Sequence, residues 1–218
     1  FDDRLTTWLG RFHAPYGYWN TGFHHGAQIQ TSIMRPRFID FEDKGGLLPA
    51  HVVGAWATGQ FSAGSGRLSY DLYTGNGNAL DFDTTDGPDL DVLPDNHTGS
   101  LAINNSRDSN GNKLAGVNVG YTSGGLTVGV HGLANRVSMI DANAIPTDTG
   151  EVGVKMVGLY GFYEGDALEA IAEYYDFKND DMTNGNPNPT SHSSWLAFAQ
   201  AGYVMGAWTP YVRAERAV

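Results

Sequence analysis

Cysteine is absent from all 218 residues, which removes disulfide frameworks, thiolate metal sites, haem attachment and thiol catalysis together. Basic residues are scarce: 13 Lys and Arg stand against 24 Asp and Glu, for a formal charge of −11. A nucleic-acid partner requires a basic face, and scattered cations do not supply one. Long apolar runs are missing too. No stretch approaches the ~18 residues of a membrane-spanning helix, and the mean hydropathy is negative. That excludes helical spans only, because a transmembrane strand needs lipid-facing side chains at every second position.

Glycine and aromatics are plentiful instead: 29 Gly, 11 Tyr, 10 Phe and 5 Trp, a combination that favours strands, bulges and tight turns over helices. Alternating segments predict nine strands, at Arg4–Phe12, Val52–Phe61, Arg67–Tyr73, Leu114–Thr122, Leu126–Asn135, Glu151–Tyr163, Ala167–Lys178, Ser194–Val204 and Trp208–Arg216. The connections between them alternate in size. Tiny turns at Ser62–Gly66, Ser123–Gly125, Glu164–Asp166 and Met205–Ala207 interleave with long polar stretches at His13–His51, Thr74–Lys113, Arg136–Gly150 and Asn179–Ser193. In an up-and-down meander all small turns fall at one end and all large ones at the other, the asymmetry of an outer-membrane barrel. The expected fold is therefore an all-β, transmembrane, antiparallel up-and-down β-barrel. Residues 1–218 read as one domain; the odd strand number and an end in mid-strand suggest an interior piece of a longer barrel.

Period-two faces follow from the polar residues. Ala115, Val117, Val119 and Tyr121 form an apolar set, as do Leu126, Val128 and Val130, and Leu168, Ala170, Ala172 and Tyr174. Trp195, Ala197, Ala199, Ala201 and Tyr203 make a stripe with an aromatic at each end, as expected of a lipid face between two interfacial girdles. Charges at mid-strand suit a water-filled lumen better than a dry core. The expected pore-lining residues are Arg67, Asp71, Asn118, His131, Lys155, Glu169, Glu173, Arg213 and Glu215. Two residues fit their strands poorly: Lys155 shares a face with Val157 and Leu159, and Arg216 falls on an outward set, where it could snorkel to headgroup level.

The run Gly10-Arg11-Phe12-His13-Ala14-Pro15-Tyr16-Gly17-Tyr18-Trp19-Asn20, with His24-His25-Gly26 and Glu42-Asp43-Lys44-Gly45-Gly46-Leu47-Leu48-Pro49, resembles bacterial outer-membrane porins of the phosphate-selective porin-like superfamily. The similarity is strongest over residues 4–60. It implies a barrel of the sixteen-stranded type, a homotrimer in the outer membrane of a Gram-negative cell, amid lipid and lipopolysaccharide, passing small hydrophilic solutes or ions passively and using no cofactor. The dense basic ladder of phosphate-selective members is replaced here by mixed charge, Arg67, Lys155 and Arg213 against Asp71, Glu169, Glu173 and Glu215, so phosphate selectivity is not carried over. An alternative is a structural or adhesive barrel whose acidic surface loops bind a partner.

The connection His13–His51 is long enough to be functional. One reading folds it into the lumen as a constriction lined by Arg35, Arg37, Asp40, Glu42 and Asp43; the other leaves it at the rim or a subunit contact. His13, His24 and His25 offer imidazoles for a transition metal, but adjacent residues on a strand point apart and no carboxylate or thiolate completes the set. Asp81, Asp83 and Asp86 have the oxygen density that calcium favours without the EF-hand spacing. Enzymatic motifs are absent, and Glu169 and Glu173 lie about 13 Å apart along one strand face, too far for a glycosidase pair.

Overall fold

A computed structural model describes residues 3–23, 32, 35–39, 48–77, 79–81, 100–102, 111–138, 151–182 and 187–218. Among the described residues there are eleven strands: β1 (Thr6–His13), β2 (His51–Ala63), β3 (Gly66–Asn76), β4 (Ala79–Asp81), β5 (Ser100–Ala102), β6 (Lys113–Ser123), β7 (Leu126–Ser138), β8 (Glu151–Glu164), β9 (Leu168–Asp181), β10 (Ser191–Tyr203) and β11 (Tyr211–Ala217). Nine of them form one antiparallel sheet in the order β1-β2-β3-β6-β7-β8-β9-β10-β11. Successive strands of this sheet are neighbours in the chain, except that among the described residues the short pair β4/β5, which makes its own two-stranded sheet, stands between β3 and β6. Among the described residues β1 and β11 do not pair with each other, so the sheet is open at both edges.

The nine expected strands are thus all in the sheet, at boundaries that differ mainly in length. β8 and β9 run to 14 residues each, beyond the roughly ten that cross an apolar layer. The excess lies at the large-connection end, where the ladder continues through polar pairs such as Lys155 with Lys178 and Gly153 with Asp180. At the opposite end the turns are tight. Between Ser123 and its partner Leu126 only Gly124 and Gly125 intervene, with φ of 58° and 83°; two successive left-handed residues match the strand twist and demand glycine.

The two faces of the sheet are chemically distinct. One, the bare face, carries Leu9, Leu72, Val117, Val128, Val130, Val157, Leu159 and Val212, of which Val157 is 62%, Leu159 57% and Val212 74% exposed. Every apolar set read from the sequence lies on it. Toward the tight turns it is bordered by Phe61, Tyr70, Tyr121, Tyr163 and Tyr203, with Phe61 stacked on Tyr70. Toward the large connections lie Tyr174 and Trp195, stacked at 6.1 Å, with the Arg216 guanidinium 5.5 Å above the indole.

The other, covered face is packed by part of the chain between β1 and β2. That segment contributes a short helix, α1 (Tyr18–Gly22), and a 3-10 turn at Arg37–Ile39. Tyr16, Trp19, Phe23, Phe38, Ile39 and Leu48 form one hydrophobic cluster with strand residues that include Leu133, Met156, Phe162, Ile171, Tyr175 and Phe198. The core of the molecule therefore lies between one side of a sheet and one connection, leaving the other side with no protein against it among the described residues.

Candidate functional site

The covered face divides into two regions. Across β7 to β11 it is closed by the first connection. The Tyr18 ring stacks on Phe162 at 4.1 Å, Trp19 meets Phe198 edge-on at 5.7 Å, and Phe38 meets Tyr175 at 5.3 Å. Burial pushes the Tyr18 phenol up to about 12, with the carboxylates Glu164 and Glu169 adding to the rise; it is a neutral ring at any physiological pH.

A buried polar knot pins this segment. Glu173 of β9, 3% exposed, accepts the backbone N–H of Trp19 at 2.5 Å and that of Tyr18, and the Tyr175 hydroxyl donates to its other oxygen. A carboxylate from a distant strand thereby satisfies N–H groups that the start of α1 leaves free. Arg35 supplies the opposite charge; its Nε donates to the Ile39 carbonyl at 2.9 Å and its Nη2 to Asn20 Oδ1 at 3.0 Å. Asn20 Nδ2 in turn donates to the Ala14 carbonyl at 2.7 Å. Gly17 makes the approach possible: its φ is 61°, and a Cβ there would lie 2.5 Å from Glu173 Oε2 and 2.6 Å from the Tyr175 hydroxyl. On β11, Arg213 pairs with Glu215 at 2.8 Å and donates to Ser32 Oγ at 3.2 Å, and the Arg37 backbone N–H donates to Glu215 at 2.9 Å.

Toward the tight turns of β2, β3, β6 and β7 the same face is lined by short polar side chains, Thr58, Gln60, Ser69, Thr122 and Thr127, partly exposed; toward the large connections Phe12, Val52, Tyr73 and Leu114 belong to the buried cluster. Asp71 sits among the polar side chains. Its Oδ1 accepts the Trp56 indole N–H at 3.0 Å and its Oδ2 an N–H of Asn118 at 3.0 Å. Next to Asn118 in the register is His131, whose ring lies among Tyr16, Tyr160 and Tyr175 at 5.0–6.3 Å.

Of the residues expected to line a pore, Arg67, Asp71, Asn118, His131, Glu169, Glu173, Arg213 and Glu215 share the covered face. Lys155 does not. Cross-strand partners share a face, and Lys155 lies opposite Ala134 and Lys178 on the bare side, with its ammonium 3.9 Å from Asp180. The misassignment came from treating charge as a marker of the lumen; Lys155 stands where the strand has run past the apolar residues. Glu173 is on the expected face but is sealed, as are Asn118 and His131. Glu169 faces Glu164 directly at the turn end.

The first connection lies on the covered face, yet its charges are not all displayed there. Arg35 is 8% exposed and consumed by the knot, so it holds the segment together and lines no open surface; Arg37 is exposed. Asp40, Glu42 and Asp43 lie outside the described residues, as do His24, His25, Asp83, Asp86 and the side chain of Asp81. The ring of His13 packs on His51 at 4.8 Å. Sequence reasoning missed Tyr16 and Asn20 as contributors, although the density of aromatics in Tyr16-Gly17-Tyr18-Trp19 within a polar connection was a usable signal of burial.

No protein-family profile, curated protein or solved structure matched the chain. The likeness of residues 4–60 to outer-membrane porins therefore rests on the motif quoted above.

Proposed function

We propose that the sheet is part of the wall of an outer-membrane channel, with its bare face toward lipid and its covered face toward a water-filled lumen through which small hydrophilic solutes or ions diffuse. The observation that carries this reading is the bare face. Nine strands at ~4.8 Å spacing span about 38 Å. Along β8 the apolar layer runs from Tyr163 to Lys155, about 27 Å of strand, or about 20 Å of height at the tilt of roughly 40° usual in such barrels. The footprint, 38 Å across by 27 Å along the strands, is thus on the order of 1,000 Å², against the 300–600 Å² of the largest apolar patch on a typical soluble monomer. Aromatics border the layer on the turn side and Tyr174 and Trp195 on the other, as at two membrane interfaces.

The closed knot under Trp19 bears on how wide such a channel would be. A first connection packed on the covered face narrows the lumen and leaves the polar side chains toward the tight turns of β2, β3, β6 and β7 as its open lining. In this reading further strands close the barrel between β1 and β11, and the likeness to trimeric porins makes a homotrimer the expected assembly. Planar-bilayer recording from the intact, detergent-purified protein tests the proposal. Stepwise openings in salt, with a protein that needs detergent and migrates differently before and after heating, are the expected result. Silence from a heat-modifiable, folded protein would replace it with the structural or adhesive barrel, its lumen plugged.

A further inference from the structure

The cations of this chain are unevenly placed. Its formal charge is −11, yet six lysines and arginines of the sheet, Arg11, Lys113, Arg136, Lys155, Lys178 and Arg216, stand on the bare face, all toward the large connections. At the tight-turn end the same face finishes in Phe61, Tyr163, Leu168 and Tyr203, with no lysine or arginine of the described strands; Arg67 there belongs to the covered side.

The six also share a line. Arg216 lies in the register row of Ala197, Tyr174, Leu159, Val130 and Val119, which runs on through Tyr70 to Gly59. Lys178 and Lys155 stand four residues beyond that row on their strands; Arg136, Lys113 and Val53, the partner of Arg11, stand six beyond it. From β11 to β1 the line thus climbs about 20 Å along the strands while crossing about 38 Å, a slope of about 30°. A level line traces a similar slope on strands tilted as in a membrane barrel, so the cations occupy one band of height just past the apolar layer.

Within the band the described carboxylates are Glu151, Asp176 and Asp180, too few to neutralise it. Lys155 and Lys178 are directly opposite each other and share Asp180, at 3.9 and 3.5 Å. Like charges opposed across a ladder are unfavourable, and a further anion between them relieves that. Arg136, on the next strand, pairs with Glu151 at 3.3 Å; its side chain is exposed, and exposed pairs hold loosely. Lysine and arginine at such a spot suit phosphate oxygens. What carries the phosphate follows from what adjoins the band. Lys155, Val157 and Leu159 succeed one another on one face of β8. A soluble anion matches only the first of them, whereas a lipid matches all three, phosphate on the cation and acyl chains on the apolar layer.

We propose that Arg136, Lys155 and Lys178 hold the phosphate groups of an anionic lipid in the leaflet around the large-connection end, with Arg11, Lys113 and Arg216 extending the band to either side. This rests on the channel reading in one respect, that the bare face meets lipid. The probe is diphosphoryl lipid A, added to the intact, delipidated protein in neutral detergent and counted on it by native mass spectrometry. Binding is expected to weaken about fivefold in Lys178→Gln, and on the order of a hundredfold when Arg136→Gln, Lys155→Gln and Lys178→Gln are combined. Arg67→Gln, on the covered face, leaves it unchanged. Heat-modifiable migration checks that each variant is folded.

Undiminished binding by the triple variant, or equal binding of lipid A stripped of both phosphates, would overturn the proposal. Displacement of lipid A by an equal concentration of inorganic phosphate would overturn the lipid as its source and make the band a site for free anions. Channels that open normally alongside any of these results leave the channel reading standing. Phosphate-dependent binding of lipid A by a folded protein that conducts nothing upholds the lipid band and defeats the channel.

Discussion

The bare and covered faces are built from the same strands, residue by residue in alternation, yet they obey opposite rules. On the bare face Val130, Leu159 and Val157 are exposed, with nothing packed over them among the described residues, while one position along, on the covered face, His131, Gly158 and Met156 are buried beneath side chains of the first connection and the neighbouring strands. What separates them is not hydrophobicity, since both contain large apolar side chains. It is whether polar atoms are permitted. The covered face holds a buried carboxylate and several amides in a network with a guanidinium of the first connection, whereas the bare face carries its charge exposed, at the Trp195 border with Asp176 and Arg216 and beyond it. A soluble sheet has its network-bearing side or its apolar side against protein and the remainder in water; this sheet has its protein on the polar side.

The strongest way to break that comparison is at the knot. Glu173→Ala leaves the buried N–H groups of Tyr18 and Trp19 without their acceptor, a loss of about 1–3 kcal/mol for each. Denaturant unfolding in lipid vesicles should read that drop, and bilayer recording a larger conductance as the first connection loosens. Arg35→Ala is expected to act in the same direction, whereas Arg37→Ala, whose side chain is exposed and whose anchor is a backbone N–H, leaves conductance near its starting value. Equal conductance for all three would place the connection outside the current path.

A smaller effect tests the bare face. Val130→Arg puts a guanidinium in the middle of the apolar layer, between Val119 and Leu159. In a bilayer it costs about 2–4 kcal/mol, and if the face were bathed in water the change would stay within about 0.5 kcal/mol. Unfolding free energies of the variant in vesicles distinguish the two.

The smallest effect is expected where the faces meet the large connections. Lys155, 69% exposed and 3.9 Å from Asp180, makes the kind of surface pair worth ~0.5 kcal/mol or less. Lys155→Ala should leave stability and the reversal potential in a salt gradient unchanged; a shifted reversal potential would return Lys155 to the pore.

These contrasts also explain what could be read from the chain alone. Period-two alternation and turn chemistry are local, so nine strands, their order and their apolar faces were legible; Gly124-Gly125 is a turn wherever it occurs between such runs. The short hairpin β4/β5 was not anticipated, because three residues carry no periodicity. The role of Glu173 was beyond reach for another reason. Nothing near it in sequence indicates that Trp19, some 150 residues earlier, will present an N–H to it, and a mid-strand glutamate reads equally as a lumen charge or a buried anchor. Lys155 was misplaced because charge does not tell the two faces apart once a strand has run past its apolar residues, and where that happens is set by the neighbouring strands.

The unequal connections have a consequence for how the chain finds this arrangement. Pairing β6 with β7 closes a loop of two glycines, while pairing β1 with β2 closes one that runs from residue 14 to residue 50. That is roughly four doublings of loop length, or about 2.5 kcal/mol more closure entropy to overcome before any ladder bond forms. The hairpins at the tight turns are therefore self-starting units, and β1 is a late recruit. Its attachment is favoured once α1 and the Arg37–Ile39 turn have found their places on β8 to β11, which makes the connection an internal template for the strand that precedes it.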